Sequence, residues 1–503
     1  MFSFQFPGSQ MPYINEIIRQ GAENVISDSE LIVREIREFM NSPKRADMIK
    51  GVNYYKGMQD ILYRKRTVIG ADGNPTAVDN IPNNRVVNNQ YKKMVDQKAN
   101  YLCGQPVAYN SDNKTAVKAV ADILDNRFNR TLKQVCEDSL NCGIGWLFIN
   151  YDDEGKLCFK RFKPWEIVPG WADDEHTKLD YAFRVYEVIA YEGRIRKTIT
   201  KVEVFDGNGI RRLVLDGGKL LPDGVDWETA YFYKGDKAIN WLKIPLIAFK
   251  YNTNEIPLIN NVKTLQDGLN LIISNFQNGM EEDPRNTILV LKNYDGENLG
   301  EFRRNLATYG AVKVRSADGS QGGVETLNIT VNSENYKTLI DIFKKAIIEN
   351  AMGYDAKDDR LGGNANQMNI QSMYSDIDLD ANGMEIEYQA AFEELMEFVK
   401  AHLSNTGKGN FDNDKIEVIF NRDILINEGE AIDNCAKSIG ILSNETIVAQ
   451  HPWVDDIQDE LKKVEKQKKE NMEEYGFPAG TQPNVDNNKT DPGKEDTALK
   501  DDE

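Results

Sequence analysis

The chain has 503 residues, 40% hydrophobic and 28% charged, which is ample core material for a folded protein of about three domains or one elongated subunit. Its formal net charge of −19 argues against sequence-independent grip on DNA, because that binding depends on basic patches that release counterions from phosphates. Five scattered cysteines with no CxxC pair point away from a zinc site or a disulfide framework. The absence of an 18-residue apolar run, and a start (MFSFQFPGSQ) without basic and apolar leader regions, point away from a membrane span or a signal peptide.

The chain to about residue 66 reads as helical, with apolar residues at Ile14, Ile17, Ile18, Leu31, Ile32, Ile36 and Met40. A turn-rich stretch follows at 70–84. A helix then carries Tyr91, Met94, Val95, Lys98 and Leu102 at three-to-four spacing and stops at Gly104. From about 144 to 250 the pattern changes to short Val-, Ile-, Phe- and Tyr-rich strands, with Asp206-Gly207-Asn208-Gly209 and Asp216-Gly217-Gly218 as hairpin turns. After Pro257, the residues Leu258, Val262, Leu265, Leu269, Ile272, Phe276 and Met280 recur in steps of four and three, the seam of a long packed helix. Strand-like segments fill about 287–332, with a short helical patch near Phe302–Leu306. A second long helix begins near Ser333 with Tyr336, Leu339, Ile340, Phe343, Ile347 and Ala351 on one face. Ile342, Ala346 and Ile348 widen that stripe, which suggests burial on more than one side, as between neighbouring subunits.

The segment GYDAKDDRLGGNANQMN (353–369) is too long for a simple turn between helices, which needs about 2–8 residues, so a purpose beyond connection is indicated. A third long helix runs from about 370 to 404, followed by the strand KIEVIFNRD and by helical segments to about 471. The remaining 472–503 are almost devoid of apolar residues and read as a disordered acidic tail.

Motifs for chemistry are mostly absent. Three histidines, His176, His402 and His451, have structural roles as their default, His176 on an exposed charged loop. NTGKGN (405–410) lacks the first glycine and the Ser or Thr of a phosphate loop and reads as a polar turn. DLDANG (378–383) matches half of a calcium loop, but Gln389 stands where a bidentate Glu is needed and helical periodicity runs through it. No cofactor and no metal are expected, and the chain does not read as an enzyme.

Several stretches together resemble a known family. NNRVVNNQYKKMVDQKANYLCGQPVAYNSDN (83–113), KIPLIAFKYN (243–252), VLKNYDGEN (290–298), the NTGKG-F segment (405–411) and HPWVDDIQDELKKVEK (451–466) are similar, in this order and spacing, to portal proteins of tailed bacteriophages, particularly siphophages of Gram-positive hosts. The likeness covers about 40–471. It implies a predominantly helical α+β subunit that assembles into a ring, usually of twelve copies, at one capsid vertex, through which double-stranded viral DNA is packaged and later ejected. The parts it implies are a wing (1–256 and 370–423), two stem helices (257–281 and 333–352), an α/β clip (282–332), a tunnel loop (353–369) and a helical crown (424–471).

The resemblance also implies site residues and partners. Leu258, Val262, Leu265, Leu269, Ile272 and Phe276 would pack the stem with Leu339, Ile340, Phe343 and Ile347. In the tunnel loop, Lys357, Arg360, Asn364, Asn366 and Gln367 would meet DNA while Asp358 and Asp359 temper the attraction. Lys292, Asn293, Tyr294, Asp295 and Glu297 of the clip would dock partners. The expected partners are other copies of the chain, viral DNA, the terminase large subunit, major capsid and scaffolding proteins and a head-completion adaptor. No membrane is expected; the protein would be assembled in the host cytoplasm and carried in the virion. The alternatives are a nucleic-acid-processing phage enzyme, which would need a carboxylate metal site or a phosphate loop, and a monomeric binding module.

Overall fold

The computed structural model describes residues 11–69, 74–77, 81–234, 237–282, 287–292, 323–328, 333–355, 367–422, 428–454 and 457–474. The chain divides into two units, residues 1–361 with 371–424, and residues 362–370 with 425–503.

The first unit opens with α1 (Met11–Ser27), α2 (Ser29–Met40) and α3 (Pro43–Tyr55). Each boundary has a local cause. Asp28 accepts from the Glu30 amide at the start of α2, and Ser42 accepts from Arg45 at the start of α3, where Pro43 occupies a position that has no amide to lose. A small hairpin, β1 (Thr67–Ile69) with β2 (Pro75–Ala77), precedes α4 (Gln90–Cys103). Then come β3 (Ala108–Asn110), α5 (Lys114–Ala121) and α6 (Asn126–Cys142). Gly143 ends α6 in the left-handed region at φ 82°, and a Cβ there would sit 2.0 Å from the Glu255 carbonyl oxygen. Only glycine allows that close approach, which pins the turn before the first long helix against the end of α6.

Two antiparallel sheets follow. β4 (Ile144–Tyr151), β5 (Leu157–Phe162) and β14 (Leu246–Lys250) form one in the order β14-β4-β5. A meander of β6 (Ile167–Trp171), β7 (Leu179–Glu192), β8 (Ile195–Asp206), β9 (Gly209–Asp216) and β10 (Lys219–Pro222) forms the other, with β11 (Glu228–Thr229) added to β9. Asp206 pairs directly with Gly209, so Gly207-Asn208 is the two-residue turn expected from the sequence. β12 (Phe232–Lys234) and β13 (Lys237–Ile239) make a further hairpin.

The strand β4 shows how the layers share the core. Its side chains alternate, so Leu147 and Ile149 join the main core with α4, α6 and the later helices. Trp146 and Phe148 join a second cluster with Phe162 and Phe205. A strand buried on both faces reads as a continuous apolar run, as IGWLFI does. A third cluster packs Ile32 and Ile36 of α2 against Phe183, Val202 and Val204 of the meander.

Next come α7 (Ile259–Glu282), the pair β15 (Thr287–Lys292) and β16 (Gly323–Asn328), α8 (Ser333–Asn350), α9 (Gln367–Asn405) and β17 (Glu417–Ile419), which pairs with β3. At 39 residues α9 is about 58 Å long and runs unbroken through Gly383. Ile377, Ala381, Met384, Tyr388, Leu395 and Val399 form its buried face. In the second unit, α10 (Glu428–Lys437), α11 (Asn444–Ala449) and α12 (Ile457–Glu474) are helical, and Ser443 caps α11. The helical patch expected near Phe302–Leu306 lies outside the described residues, as does most of the acidic tail.

On α9, burial pushes the Glu394 carboxyl up to about 7; Lys243 opposes the shift and Glu397 adds to it. The folded protein therefore holds a proton that the unfolded chain releases near its ordinary value of 4.5, so this residue makes the fold less stable as pH rises from about 4.5 to about 7. Glu394→Gln removes that penalty. Thermal unfolding midpoints should favour the variant more at pH 8 than at pH 5.5, and an equal difference at both would rule out this titration.

Candidate functional site

Helix α7 presents two kinds of surface. Leu258, just before it, and Val262 and Leu269 within it are fully buried in the main core, and Leu265 packs against that core. A second row, Gln266, Asn270, Ser274 and Asn278, is also buried although every member is polar. Their partners explain the burial. The amides of Tyr91, Asn88, Val86 and Asn84 donate to Gln266 Oε1 (3.0 Å), Asn270 Oδ1 (2.9 Å), Ser274 Oγ (3.0 Å) and Asn278 Oδ1 (2.7 Å). Gln266 Nε2 also donates to the Asn88 carbonyl at 2.7 Å.

The extended chain before α4 thus runs antiparallel to α7, with the helix acting as its strand partner. Four residues of helix rise about 6.0 Å. Two residues of extended chain advance about 6.6 Å. The two periods nearly match, so Asn278, Ser274 and Asn270 meet every second amide, at residues 84, 86 and 88, and Gln266 takes the Tyr91 amide in the first turn of α4. Asn89 then caps α4 by accepting from Lys92, while its amide nitrogen donates to the carbonyls of Tyr54 and Tyr55 at the end of α3.

Helix α8 packs on α7 where Gly268 makes room for Phe343; a Cβ at Gly268 would lie 2.5 Å from that ring. Further along, Phe276 and Tyr336 meet at 5.0 Å. Of the remaining expected packing residues, Ile347 is fully buried, Ile272 is half-buried, and Ile340 packs against the core. Leu339 faces outward, 43% exposed, with Ile342 at 55% on α8 and Leu271 at 42% and Met280 at 52% on α7.

Beyond α8 the chain turns onto α4. Met352 takes a positive φ of 50°, and its carbonyl accepts from Lys98 at 3.2 Å. Lys98 is buried and pairs with Asp380 of α9 at 2.6 Å; burial pushes its ammonium down and Asp380 opposes the shift. Gln97 bonds the backbone of Tyr354, whose ring lies against Tyr374 at 4.5 Å. Asp378 accepts from Tyr101 and Arg422, and Asp380 accepts from Tyr251 at 2.9 Å. The half calcium loop at 378–383 is therefore continuous helix whose first two acids are held by protein groups.

Of the expected tunnel-loop residues, Lys357, Asp358, Asp359, Arg360, Asn364 and Asn366 lie outside the described residues, and Gln367 is the first residue of α9. Lys292 ends β15, whereas Asn293, Tyr294, Asp295 and Glu297 lie outside the described residues. His176 lies on a loop with its side chain 39% exposed, in the structural role expected of it. It stacks on Trp171 at 4.9 Å and bonds Glu255 at 2.9 Å, because the turn carrying Glu255 folds back to α6. His402 is buried against the Tyr151 hydroxyl at 3.0 Å. Among the described residues, no group of three His, Cys, Asp or Glu could hold a metal ion, and no helix is long and apolar enough to cross a membrane.

The polar row of α7 and the grip of Gln97 escape a reading by apolar period. Their signals are four-residue spacing of amides and a hydroxyl, QDGLNLIISNFQN, and the Asn-rich NNRVVNN that answers it.

A family model described as "Phage portal protein, SPP1 Gp6-like" matches residues 41–474. The portal protein of Bacillus phage SPP1 is 30% identical over 470 residues, covering 92% of this chain and 91% of that protein. The portal protein of Clostridium phage phiCD119 is 27% identical over 441 residues, covering 85% of this chain and 94% of that protein.

Asn270→Ala deletes the acceptor for the Asn88 amide in the middle of the row. The loss of a hydrogen bond at a partly buried amide should cost about 1–3 kcal/mol. The expected outcome is a lower thermal midpoint together with faster amide exchange across 84–91, whereas Thr264→Ala at an exposed position of the same helix should leave both nearly unchanged.

Proposed function

The chain belongs to the SPP1 Gp6-like family of phage portal proteins, structural and non-enzymatic components of phage, and on that premise we propose that its copies form the ring that conducts viral DNA. The ring occupies one capsid vertex, holds about twelve subunits as in the family it resembles, and passes double-stranded DNA during packaging and ejection. Helices α7 and α8 form the stem, with residues 282–332 as the clip between them. Residues 1–256 and 370–423 make the wing, 424–471 the crown, and 353–369 the tunnel loop.

The observation that carries this reading is the outward apolar surface of the helix pair. Leu271, Met280, Leu339 and Ile342 are each more than two-fifths exposed on two helices that already pack with one another. Repeated around a ring, such a surface is covered by the next copy.

The charge of −19 fits a conduit better than a clamp. A wall of many Lys and Arg would hold phosphates and slow their passage. A few basic and amide groups at the narrowest point, Lys357, Arg360, Asn364, Asn366 and Gln367, centre the duplex, while Asp358 and Asp359 keep it moving. Power for packaging comes from a separate terminase, which docks first at the clip around Lys292, Asn293, Tyr294, Asp295 and Glu297; the head-completion adaptor then takes its place. Capsid and scaffolding proteins meet the outer parts of the ring during assembly in the host cytoplasm.

Electron microscopy of the purified full-length protein should reveal rings with a central hole; a stable monomer at micromolar concentration would sink the proposal. Replacement of residues 355–366 by a short Gly/Ser linker should leave rings intact and impair DNA packaging or retention. Unimpaired packaging in that variant would remove the loop assignment.

A further inference from the structure

We propose that Gln97 of α4 is the positioning residue of the loop that begins after Tyr354, fixing the direction in which the chain leaves α8. The inference rests on the reading of 353–369 as the tunnel loop. Its basis is a set of contacts by one short stretch of one helix, Gln97, Lys98 and Tyr101, on the chain that enters the loop and on the helix that follows it.

At the near end, α8 closes with the Gly353 amide donating to the Ile348 carbonyl at 2.9 Å. Met352 is left-handed, a conformation that costs a non-glycine residue about 1 kcal/mol or more and needs support. Lys98 supplies it by binding the Met352 carbonyl. Gly353 then lies on α4 so closely that a Cβ would come within 2.7 Å of Met94 Sδ and 2.9 Å of Gln97 Oε1.

The next residue is gripped on both of its backbone groups. Gln97 Nε2 donates to the Tyr354 carbonyl at 2.9 Å, and the Tyr354 amide donates to Gln97 Oε1 at 3.1 Å. One primary amide thus meets one residue as a neighbouring strand would, which fixes its rotation as well as its place. Only Gln or Asn offers a donor and an acceptor in this fork, and Asn is one methylene shorter.

Beyond the loop, Tyr374 and Asp378 within α9 meet the same helix. The ring of Tyr354 packs on Tyr374, which stacks on Tyr101 at 5.8 Å, and the Tyr101 hydroxyl donates to Asp378. The chain leaving α8 and a stretch of α9 are therefore held by the same helix, and a shift of Tyr354 must break the Gln97 pair. α4 lies within the NNRVVNNQYKKMVDQKANYLCG stretch that carries the family likeness, and this bracket is a reason for a helix of that composition.

The test uses full-length rings of Gln97→Leu, which removes both hydrogen bonds, and of Gln97→Glu, which keeps the shape and the acceptor but loses the donor. Amide exchange of peptides spanning 352–355 is measured alongside packaging and retention of DNA in particles. The Tyr354 amide should exchange about 10- to 30-fold faster in Gln97→Leu, from two neutral hydrogen bonds, and less so in Gln97→Glu. Rings should form normally in both, and DNA retention should fall in the same order.

Unchanged exchange at Tyr354 in both variants overturns the grip. Faster exchange with full packaging and retention, while the 355–366 replacement is impaired, overturns the positioning role. If that replacement is harmless too, the underlying loop assignment fails instead.

Discussion

The row of buried polar side chains on α7 is the constraint on which much of the first unit depends. A long helix with one apolar face packs against a core at any of several rotations about its axis. Gln266, Asn270, Ser274 and Asn278 remove that freedom, because each must find an amide of the 84–91 segment or stand buried and unsatisfied. Near-equality of the helix turn and two extended residues lets Asn278, Ser274 and Asn270 be met at once, and Gln266 is met where the chain enters α4. The same contacts hold the extended segment, which then delivers Asn89 to cap α4 and tie off α3. Three helices are thus set by one run of side chains.

From that arrangement follows the geometry at the other end of α4. Its buried Tyr91, Met94, Val95 and Leu102 belong to the main core together with Leu258, Val262 and Leu269 around α7 and with Tyr388 and Leu395 of α9. Its polar members, Gln97, Lys98 and Tyr101, reach the end of α8 and the first third of α9. One helix serves as both a core element and a bracket, so a disturbance at the loop root is carried to a rigid body rather than dissipated in a flexible surface.

The outward apolar residues of α7 and α8 and the acidic balance of the whole chain are two separate features that the proposed function draws on. In the proposed ring the former would favour association of like chains, and the latter would disfavour retention of a polyanion. Neither needs a reactive group, in keeping with a family whose members are structural.

By itself, the sequence determined the order and type of the longer elements after residue 144 and of α4, but α5, α6 and the short strands β1, β2 and β3 were not read from it. Apolar period marked α4, α7, α8 and α9 to within a few residues of their ends, and Asp206-Gly207-Asn208-Gly209 marked its hairpin. Those features are local: a helix face or a turn is set by residues a few positions apart. The matched order of weak segments likewise carried the family, since spacing along the chain is preserved in the sequence.

Only the tertiary structure decided which polar groups meet. Asn270 finds the Asn88 amide 182 residues away, Gln97 finds Tyr354 at 257, and Tyr101 finds Asp378 at 277. An amide or hydroxyl on a helix is ordinarily a solvated one, and even the four-residue spacing on α7 does not say which distant group each side chain meets. That distinction arises only when distant segments are brought within about 3 Å, where a donor and an acceptor must match or be lost.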